Sequence, residues 1–189
     1  MGNMERATEF VVFCIENTAR RLGVSGTEVF RSMDGAGGIG GFLYPSYETL
    51  HTQSKDYIVD EVLSYMAEKG IKVAELPKCS EFSRSPLIND TLLQMKYARV
   101  VSLLAKRLVI SEEDALGLFY GSETYRELSD LRNGLQNMGD LYLADSVILE
   151  NSESSGLASE LEKGRRQYRE GDTVTCATKK ELDKFLKKL

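Results

Sequence analysis

The residue types that build metal centres and cross-linked folds are scarce in this chain of 189 residues. Its single histidine, His51, excludes a metal cluster or catalytic relay made of several histidines. The three cysteines, Cys14, Cys79 and Cys176, lie far apart without metal-ligand spacing, which favours reduced thiols over a disulfide framework. No stretch approaches the ~20 apolar residues of a membrane-spanning helix. We therefore expect no metal, disulfide or membrane segment, and we expect Cys14 in the core.

What is present is ordinary for a globular protein, with 42% hydrophobic and 28% charged residues. A chain of this length buries enough surface to hold a core without cross-links. Residues 1–6 lack the cationic and then apolar pattern of a secretion signal. We therefore expect a cytoplasmic protein that folds as one domain or as two small ones.

Charge is distributed unevenly along the chain. Residues 1–75 carry 7 Lys/Arg and 11 Asp/Glu, residues 76–153 carry 8 and 12, and residues 154–189 carry 9 and 6. Two acidic blocks do not form the clustered basic surface of a general phosphate-binding protein. The basic C-terminal end is therefore predicted to be a separate functional piece.

The two acidic blocks resemble each other. Residues 19–33 align with 105–119 at an offset of 86, and residues 50–63 align with 135–148 at an offset of 85. Eight of the 29 aligned positions are identical: Ala19/Ala105, Arg21/Arg107, Leu22/Leu108, Ser25/Ser111, Leu50/Leu135, Tyr57/Tyr142, Asp60/Asp145 and Val62/Val147. We interpret this as a tandem duplication. The recurring aspartates are expected at a helix start or in a hydrogen bond between the repeats.

Periodicity predicts that each repeat is helical, so the fold class is mainly α. Phe10 and Cys14 follow helical spacing, and Gly23 is placed to end that first helix. Ser25 and Glu28 form a capping box for the next helix, with Ser111 as the weaker equivalent in the second repeat.

Two further helices are predicted in the first repeat. One spans residues 44–53 with Pro45 in its first turn, and the other spans residues 57–66 behind Asp56 as its starting residue. No long alternating strand pattern occurs in either block. Stacking the repeats would bury the apolar faces that neither can bury alone.

The predicted organisation is two tandem helical repeats with a short C-terminal tail. Repeat 1 covers residues 1–70, a linker covers 71–92, and repeat 2 covers 93–150. A Ser/Gly-rich hinge at 151–156 precedes the basic C-terminal tail, residues 155–189. In this tail we expect a short strand near residues 173–176 and an amphipathic helix over 179–189.

Glycines at residues 35–40 match the spacing of a dinucleotide-binding loop. That chemistry needs a preceding strand and a following helix whose N-terminus meets the pyrophosphate, and no strand pattern precedes this segment. We therefore predict a flexible loop between helices, and no cofactor.

The first repeat also contains the residue spacing of a helix-turn-helix, a DNA-binding motif. Ala19, Gly23 and Val29 have the spacing of its closely packed turn. The same spacing also serves any tight three-helix core, and this block is net negative. If the element binds a DNA operator, the contacting residues are Arg20, Arg21, Thr27 and Arg31.

Residues 50–53, Leu-His-Thr-Gln, stand before Tyr57 and Asp60, and are preceded by apolar segments at 10–16 and 24–29. With these motifs the chain resembles a family of short, uncharacterised bacterial proteins, typically encoded beside a toxin-like protein with an ADP-ribosyltransferase-type fold. The second block looks like a diverged relative, and residues 160–182 are similar to the toxin-neutralising tails of antitoxins. The resemblance implies a partner-binding role and supplies no catalytic residues.

The leading hypothesis is an antitoxin-like protein that masks a co-encoded toxin, and no enzymatic activity or cofactor is expected. His51, surrounded by polar residues, is predicted to contact a partner rather than act as a general base. The predicted partner contacts are Arg165, Arg166, Tyr168, Arg169, Leu182, Phe185, Leu186 and His51. A helix-turn-helix transcriptional regulator and an unpartnered structural repeat are the alternatives, and the oligomeric state is left open.

Overall fold

The computed structural model describes residues 3–72, 90–130 and 134–154. Within these ranges the regular structure is helical and contains no strand, which confirms the mainly α prediction. The helices are α1 (Asn3–Leu22), α2 (Gly26–Gly35), α3 (Tyr44–Leu50), α4 (Lys55–Glu68), α5 (Asp90–Leu108), α6 (Glu112–Gly121), α7 (Glu123–Ser129) and α8 (Asp140–Ser154). The C-terminal tail, with its predicted strand and amphipathic helix, lies outside the described residues.

Four helices follow one another in each half with nearly the same lengths. Helices α1 to α4 have 20, 10, 7 and 14 residues. Helices α5 to α8 have 19, 10, 7 and 15. The lengths agree with the duplication hypothesis, but α7 begins 79 residues after α3 and not at the aligned offset of 85 or 86. Superposition of the two halves is the direct test. The halves join where α1 packs on α5.

The predicted end of α1 and the predicted serine caps of α2 and α6 are present. Gly23 adopts a φ of +71° and ends α1, as a residue without Cβ does readily. At the start of α2 the Glu28 N–H donates to Ser25 Oγ (3.3 Å), and the Ser25 N–H donates to Glu28 Oε2 (3.0 Å). Ser111 caps α6 in the same way, accepting from the Asp114 N–H at 3.0 Å. The capping box is confirmed.

Four boundaries differ from prediction, the first being the end of α3 at Leu50 instead of residue 53. Helix α5 begins at Asp90, inside the segment predicted as linker, and α8 continues to Ser154, through part of the predicted hinge. In the last turn of α8 the Asn151 amide donates to the Val147 carbonyl at 2.8 Å, so a polar residue is accommodated within the helix. Helix α4 is capped by Ser54, and Asp56 lies in its first turn instead of starting it.

The glycine-rich segment after α2 is only partly a loop. Gly37 has a φ of +68° and turns the chain, and a short π-helical turn, Ile39–Leu43, then leads directly into α3. Gly38 is buried, and a Cβ at this position would lie 2.9 Å from Met33 Cε and 3.2 Å from the Met33 carbonyl. The segment follows a helix, so its glycines permit close packing instead of forming a phosphate-binding turn.

The core is centred on α1 and α5. Helices α2, α3 and α4 pack on α1, and α6 packs on both α5 and α2. An aromatic group fills the second half, in which the ring of Tyr125 lies 4.8 Å from Tyr120 and 5.3 Å from Phe119. Phe30 of the first half stacks on Tyr120 at 5.2 Å. Cys14 is fully buried, as predicted.

Shortening a core side chain of α1 tests this centre. Ile15 is fully buried, so Ile15→Ala is expected to lower the free energy of unfolding by about 2–5 kcal/mol. Leu22, 42% exposed near the end of the same helix, is the control, and Leu22→Ala is expected to change the free energy by about 0.5 kcal/mol or less. Urea unfolding followed by circular dichroism measures both. Equal losses would show that α1 is not the core helix.

Candidate partner-binding surface

The predicted partner contacts divide between the described part of the chain and the C-terminal tail. Seven of them, Arg165, Arg166, Tyr168, Arg169, Leu182, Phe185 and Leu186, lie outside the described residues. Their role stays a prediction. His51 is the contact whose position the structure gives.

His51 lies at the end of α3 and is held in place by Tyr47. Its backbone N–H donates to the Tyr47 carbonyl at 3.1 Å, and its ring Nδ1 lies 2.6 Å from the same oxygen. The imidazole also stacks on the Tyr47 ring, with centroids 4.5 Å apart. Because a carbonyl only accepts hydrogen bonds, this geometry assigns the proton to Nδ1 and leaves Nε2 to serve an outside partner.

Tyr47 in turn ties this histidine to the core. Its half-buried ring meets the ring of buried Phe10 of α1 edge-on, with centroids 5.8 Å apart. His51 is therefore an exposed side chain on a fixed support, and binding a partner there requires little ordering of the ring.

The segment between α3 and α4 is exposed throughout. Residues 51–57, which we call the α3–α4 surface, are all exposed, and the next two residues, Ile58 and Val59, are buried. Tyr57 is 49% exposed, and its hydrogen bond to Glu61 raises the pKa of the phenol. Within the α3–α4 surface, Asp56 pairs with Arg21 and Ser54 caps α4. The surface contributes little to the core, so its other exposed side chains are available for binding.

Two of the residues predicted to bind DNA are occupied by carboxylates. The guanidinium of Arg20 lies 3.1 Å from Asp90. That of Arg21 lies 3.3 Å from Asp56 and 3.5 Å from Asp60. Both arginines join α1 to a neighbouring segment, so contact with DNA phosphates would compete with these ion pairs.

The other two predicted DNA contacts lie on α2. The hydroxyl of Thr27 donates to the Tyr120 carbonyl at 2.8 Å, where α2 packs on α6. Arg31 is exposed. Of the four predicted residues, therefore, three are engaged within the fold.

An ion pair recurs in the two halves. Arg21 lies 3.5 Å from Asp60, and Arg107 lies 2.5 Å from Asp145. These four residues belong to the aligned identities, and in each half the pair joins the first helix to the fourth. The aspartates thus act within each half, and not in the expected bond between repeats.

One segment of the first half is similar to a known protein family. Residues 9–69 match the family model described as Protein of unknown function (DUF3791). The match extends from α1 to the end of α4 and includes the α3–α4 surface. No curated protein and no solved structure matches the chain.

A half-buried carboxyl, that of Glu16, was not anticipated from the sequence. Glu16 Oε1 accepts hydrogen bonds from the hydroxyls of Tyr125 (2.9 Å) and Tyr120 (3.1 Å), so it connects α1 to the second half. Burial raises the pKa of Glu16 to about 7, against the opposing effect of the two tyrosine hydrogen bonds. Gly26 packs beside it, since a Cβ there would lie 2.5 Å from the same carboxyl oxygen.

One sequence signal could have located Glu16. It lies four positions after Val12 and three before Ala19, and both of these are buried. At helical spacing the glutamate therefore falls on a face that packs against the rest of the protein. A charged residue on such a face indicates a buried polar contact.

Beside α1 and α5 lies a cavity of about 290 Å³ with charged walls. Its lining residues are Glu5, Glu9, Ala98, Arg99, Ser102, Leu103, Lys106 and Asp140. Lys106 pairs with Glu5, and Arg99 pairs with Asp140 at 2.6 Å, so these opposite charges neutralise one another within the wall.

Two features are absent from residues 3–72, 90–130 and 134–154. No group of three or more His, Cys, Asp and Glu side chains there is arranged to hold a metal ion. Within the same ranges, no helix has both the length and the apolar character needed to cross a bilayer.

The raised pKa of Glu16 predicts how stability changes with pH. An unfolded glutamate titrates near its ordinary value of 4.5, whereas the folded one titrates at about 7. Between these values the folded state keeps a proton that the unfolded state has released, so stability falls as the pH rises from about 5 to about 7. We expect a loss on the order of 2 kcal/mol, measured by urea unfolding at pH 5.0 and 7.5.

Glu16→Gln isolates this effect, because glutamine carries no titrating group. The variant is expected to lose most of the stability difference between the two pH values, whereas Glu9→Gln on the same helix is expected to retain it. An unchanged pH dependence in Glu16→Gln would assign the titration to another group.

Proposed function

We propose that the chain is an antitoxin-like protein of a bacterial toxin–antitoxin system, which binds and masks a co-encoded toxin in the cytoplasm. The main support for the proposal is the α3–α4 surface, which is exposed and held in a fixed position by the fold. This surface lies within residues 9–69, which match the family model. The resemblance to proteins encoded beside ADP-ribosyltransferase-like toxins supplies the class of partner.

The α3–α4 surface has the chemistry of a protein contact. It combines an imidazole, His51, with an amide, Gln53, and an exposed phenol ring, Tyr57. Tyrosine buries a large area with few rotatable bonds and is enriched among the residues that dominate binding energy. The Ser54 hydroxyl accepts from the Tyr57 N–H at 3.3 Å and fixes the start of α4. The surface is therefore ordered before a partner arrives, which lowers the entropy lost on binding.

In this proposal the C-terminal tail supplies a second contact. It contributes the basic residues Arg165, Arg166 and Arg169 together with the apolar Leu182 and Phe185. Linking two contacts through one chain raises the overall affinity, because binding at one site keeps the other site at high local concentration. Any ordering of the tail on binding reduces this gain.

A helix-turn-helix regulator has less structural support. Arg20 and Arg21 are paired with carboxylates, and Thr27 is bonded to the backbone of α6. DNA binding would need these groups to exchange partners, whereas His51 and Tyr57 can contact a protein without breaking an ion pair of the fold.

The test uses the product of the adjacent gene, co-expressed with the full-length chain. Wild type is expected to bind it and to restore growth. The double variant His51→Ala/Tyr57→Ala is expected to weaken binding at least 10-fold, about 1.4 kcal/mol, as measured by calorimetry. Glu68→Ala, at the far end of α4, is the control and is expected to bind as wild type does.

Removal of residues 155–189 tests the second contact and is expected to reduce both affinity and neutralisation. If the double variant and the truncated chain both bind as tightly as wild type, neither predicted contact is correct. If instead the chain shifts its own promoter fragment at low salt and Arg31→Ala abolishes the shift, the regulator hypothesis replaces the proposal.

A further inference from the structure

Several large apolar side chains on and near α5 and α8 are exposed to solvent, where polar residues are usual. Six residues on α5, on α8 and in the segment just before α8 have 39–62% of their surface exposed. They are Leu92, Met95, Met138, Leu141, Tyr142 and Leu149, and we call them the α5–α8 face. Clusters of this kind mark interaction sites on soluble proteins more often than isolated exposed leucines do.

Polar contacts bring the two ends of this face together. On α5, Leu92 and Met95 share a side with Arg99 at helical spacing. The Arg99 guanidinium lies 2.6 Å from Asp140, next to Leu141. The Lys96 ammonium donates to the Met138 carbonyl at 2.6 Å.

The apolar residues of α8 continue this face along one side of the helix. Leu141 and Leu149 are separated by two helical turns, and Tyr142 lies seven residues before Leu149. They form one stripe.

The first half has corresponding helices, and five of the six corresponding residues there are polar while the sixth is a tyrosine. At the offset of 86, Leu92 and Met95 correspond to Arg6 and Glu9. At the offset of 85, Met138, Leu141, Tyr142 and Leu149 correspond to Gln53, Asp56, Tyr57 and Ser64. Helix α4 therefore forms with polar residues where α8 has exposed leucines, so those leucines are not needed to build the helix.

Lys96, Arg99 and Arg107 each have a carboxylate partner beside the α5–α8 face, although Lys96 and Arg99 share one. The shared partner is Asp140, and Arg107 pairs with Asp145. Two such faces can therefore meet without bringing unpaired like charges together.

We propose that two copies of this chain associate through their α5–α8 faces. The exposed area of the six residues is on the order of 600 Å² per copy, or about 1,200 Å² for two, which reaches the lower limit of specific interfaces. The corresponding face of the first half is mostly polar, so the apolar face fits a second copy of itself. A contact of a surface with its own copy is two-fold symmetric and closes as a dimer.

Sedimentation equilibrium of the full-length chain at 1–200 μM tests this proposal. The monomer has a mass of 21.1 kDa. Wild type is expected to approach twice that mass as the concentration rises. The double variant Leu141→Asp/Leu149→Ser, which carries the residues of α4 at these positions, is expected to dimerise at least 100-fold more weakly. Ser64→Ala on α4 is the matched control and is expected to dimerise as wild type does.

Circular dichroism and urea unfolding establish that the double variant is folded, which is expected because both positions are exposed and α4 is helical with the same residues. A monomeric wild type at 200 μM overturns the proposal, and so does a double variant that dimerises like wild type. If wild type is monomeric and the double variant loses the toxin partner, the face binds a different protein and the proposal also fails.

The two proposals can fail separately. His51→Ala/Tyr57→Ala is expected to remain dimeric while losing the toxin partner, and Leu141→Asp/Leu149→Ser is expected to keep that partner while becoming monomeric. Loss of both properties in either variant would show that the two surfaces are not independent, which contradicts the assignment of self-association to the α5–α8 face alone.

Discussion

The packing of α1 on α5 is the contact on which the rest of the fold depends. Each half has one long helix and three shorter ones, and the shorter helices of the first half cover only part of α1. The remaining apolar surface of α1 is buried by α5, so burial in one half requires the other half. Glu16 makes this packing specific in orientation, because its carboxyl accepts hydrogen bonds from two tyrosine hydroxyls only when the halves are correctly aligned.

The two halves combine a shared framework with different surfaces. The pairs Arg21–Asp60 and Arg107–Asp145 hold the first helix to the fourth in each half, and Ser25 and Ser111 cap corresponding helices. The outward side chains of the fourth helices differ, being mostly polar on α4 and more apolar on α8. A repeated framework tolerates such divergence, since exposed positions contribute little to stability. In our proposals the first half meets a toxin and the second half meets another copy of the chain.

Structural features that depend on residues close together in the sequence were predictable. The turn at Gly23, the capping box of Ser25 and the place of Pro45 in α3 all follow from backbone preferences over a few residues. The exposure of His51 also followed from its polar neighbours. Predictions based on composition were less accurate: the glycine-rich segment contains a helical turn, and the predicted hinge begins inside α8. In both cases packing or a local hydrogen bond outweighed the preference of single residues for loops.

The sequence by itself determined the mainly α class, the helix caps and the resemblance between the halves, because these follow from local spacing and can be read without knowing contacts. Only the tertiary structure decided which charged side chains form ion pairs or hydrogen bonds within the fold. Arg21 is held by Asp56 and Asp60 from α4, and Glu16 is bonded to tyrosines more than 100 residues away. The Arg21 pairs form only when α4 packs on α1, and the Glu16 hydrogen bonds form only when the second half packs on α1. No local sequence pattern specifies either contact.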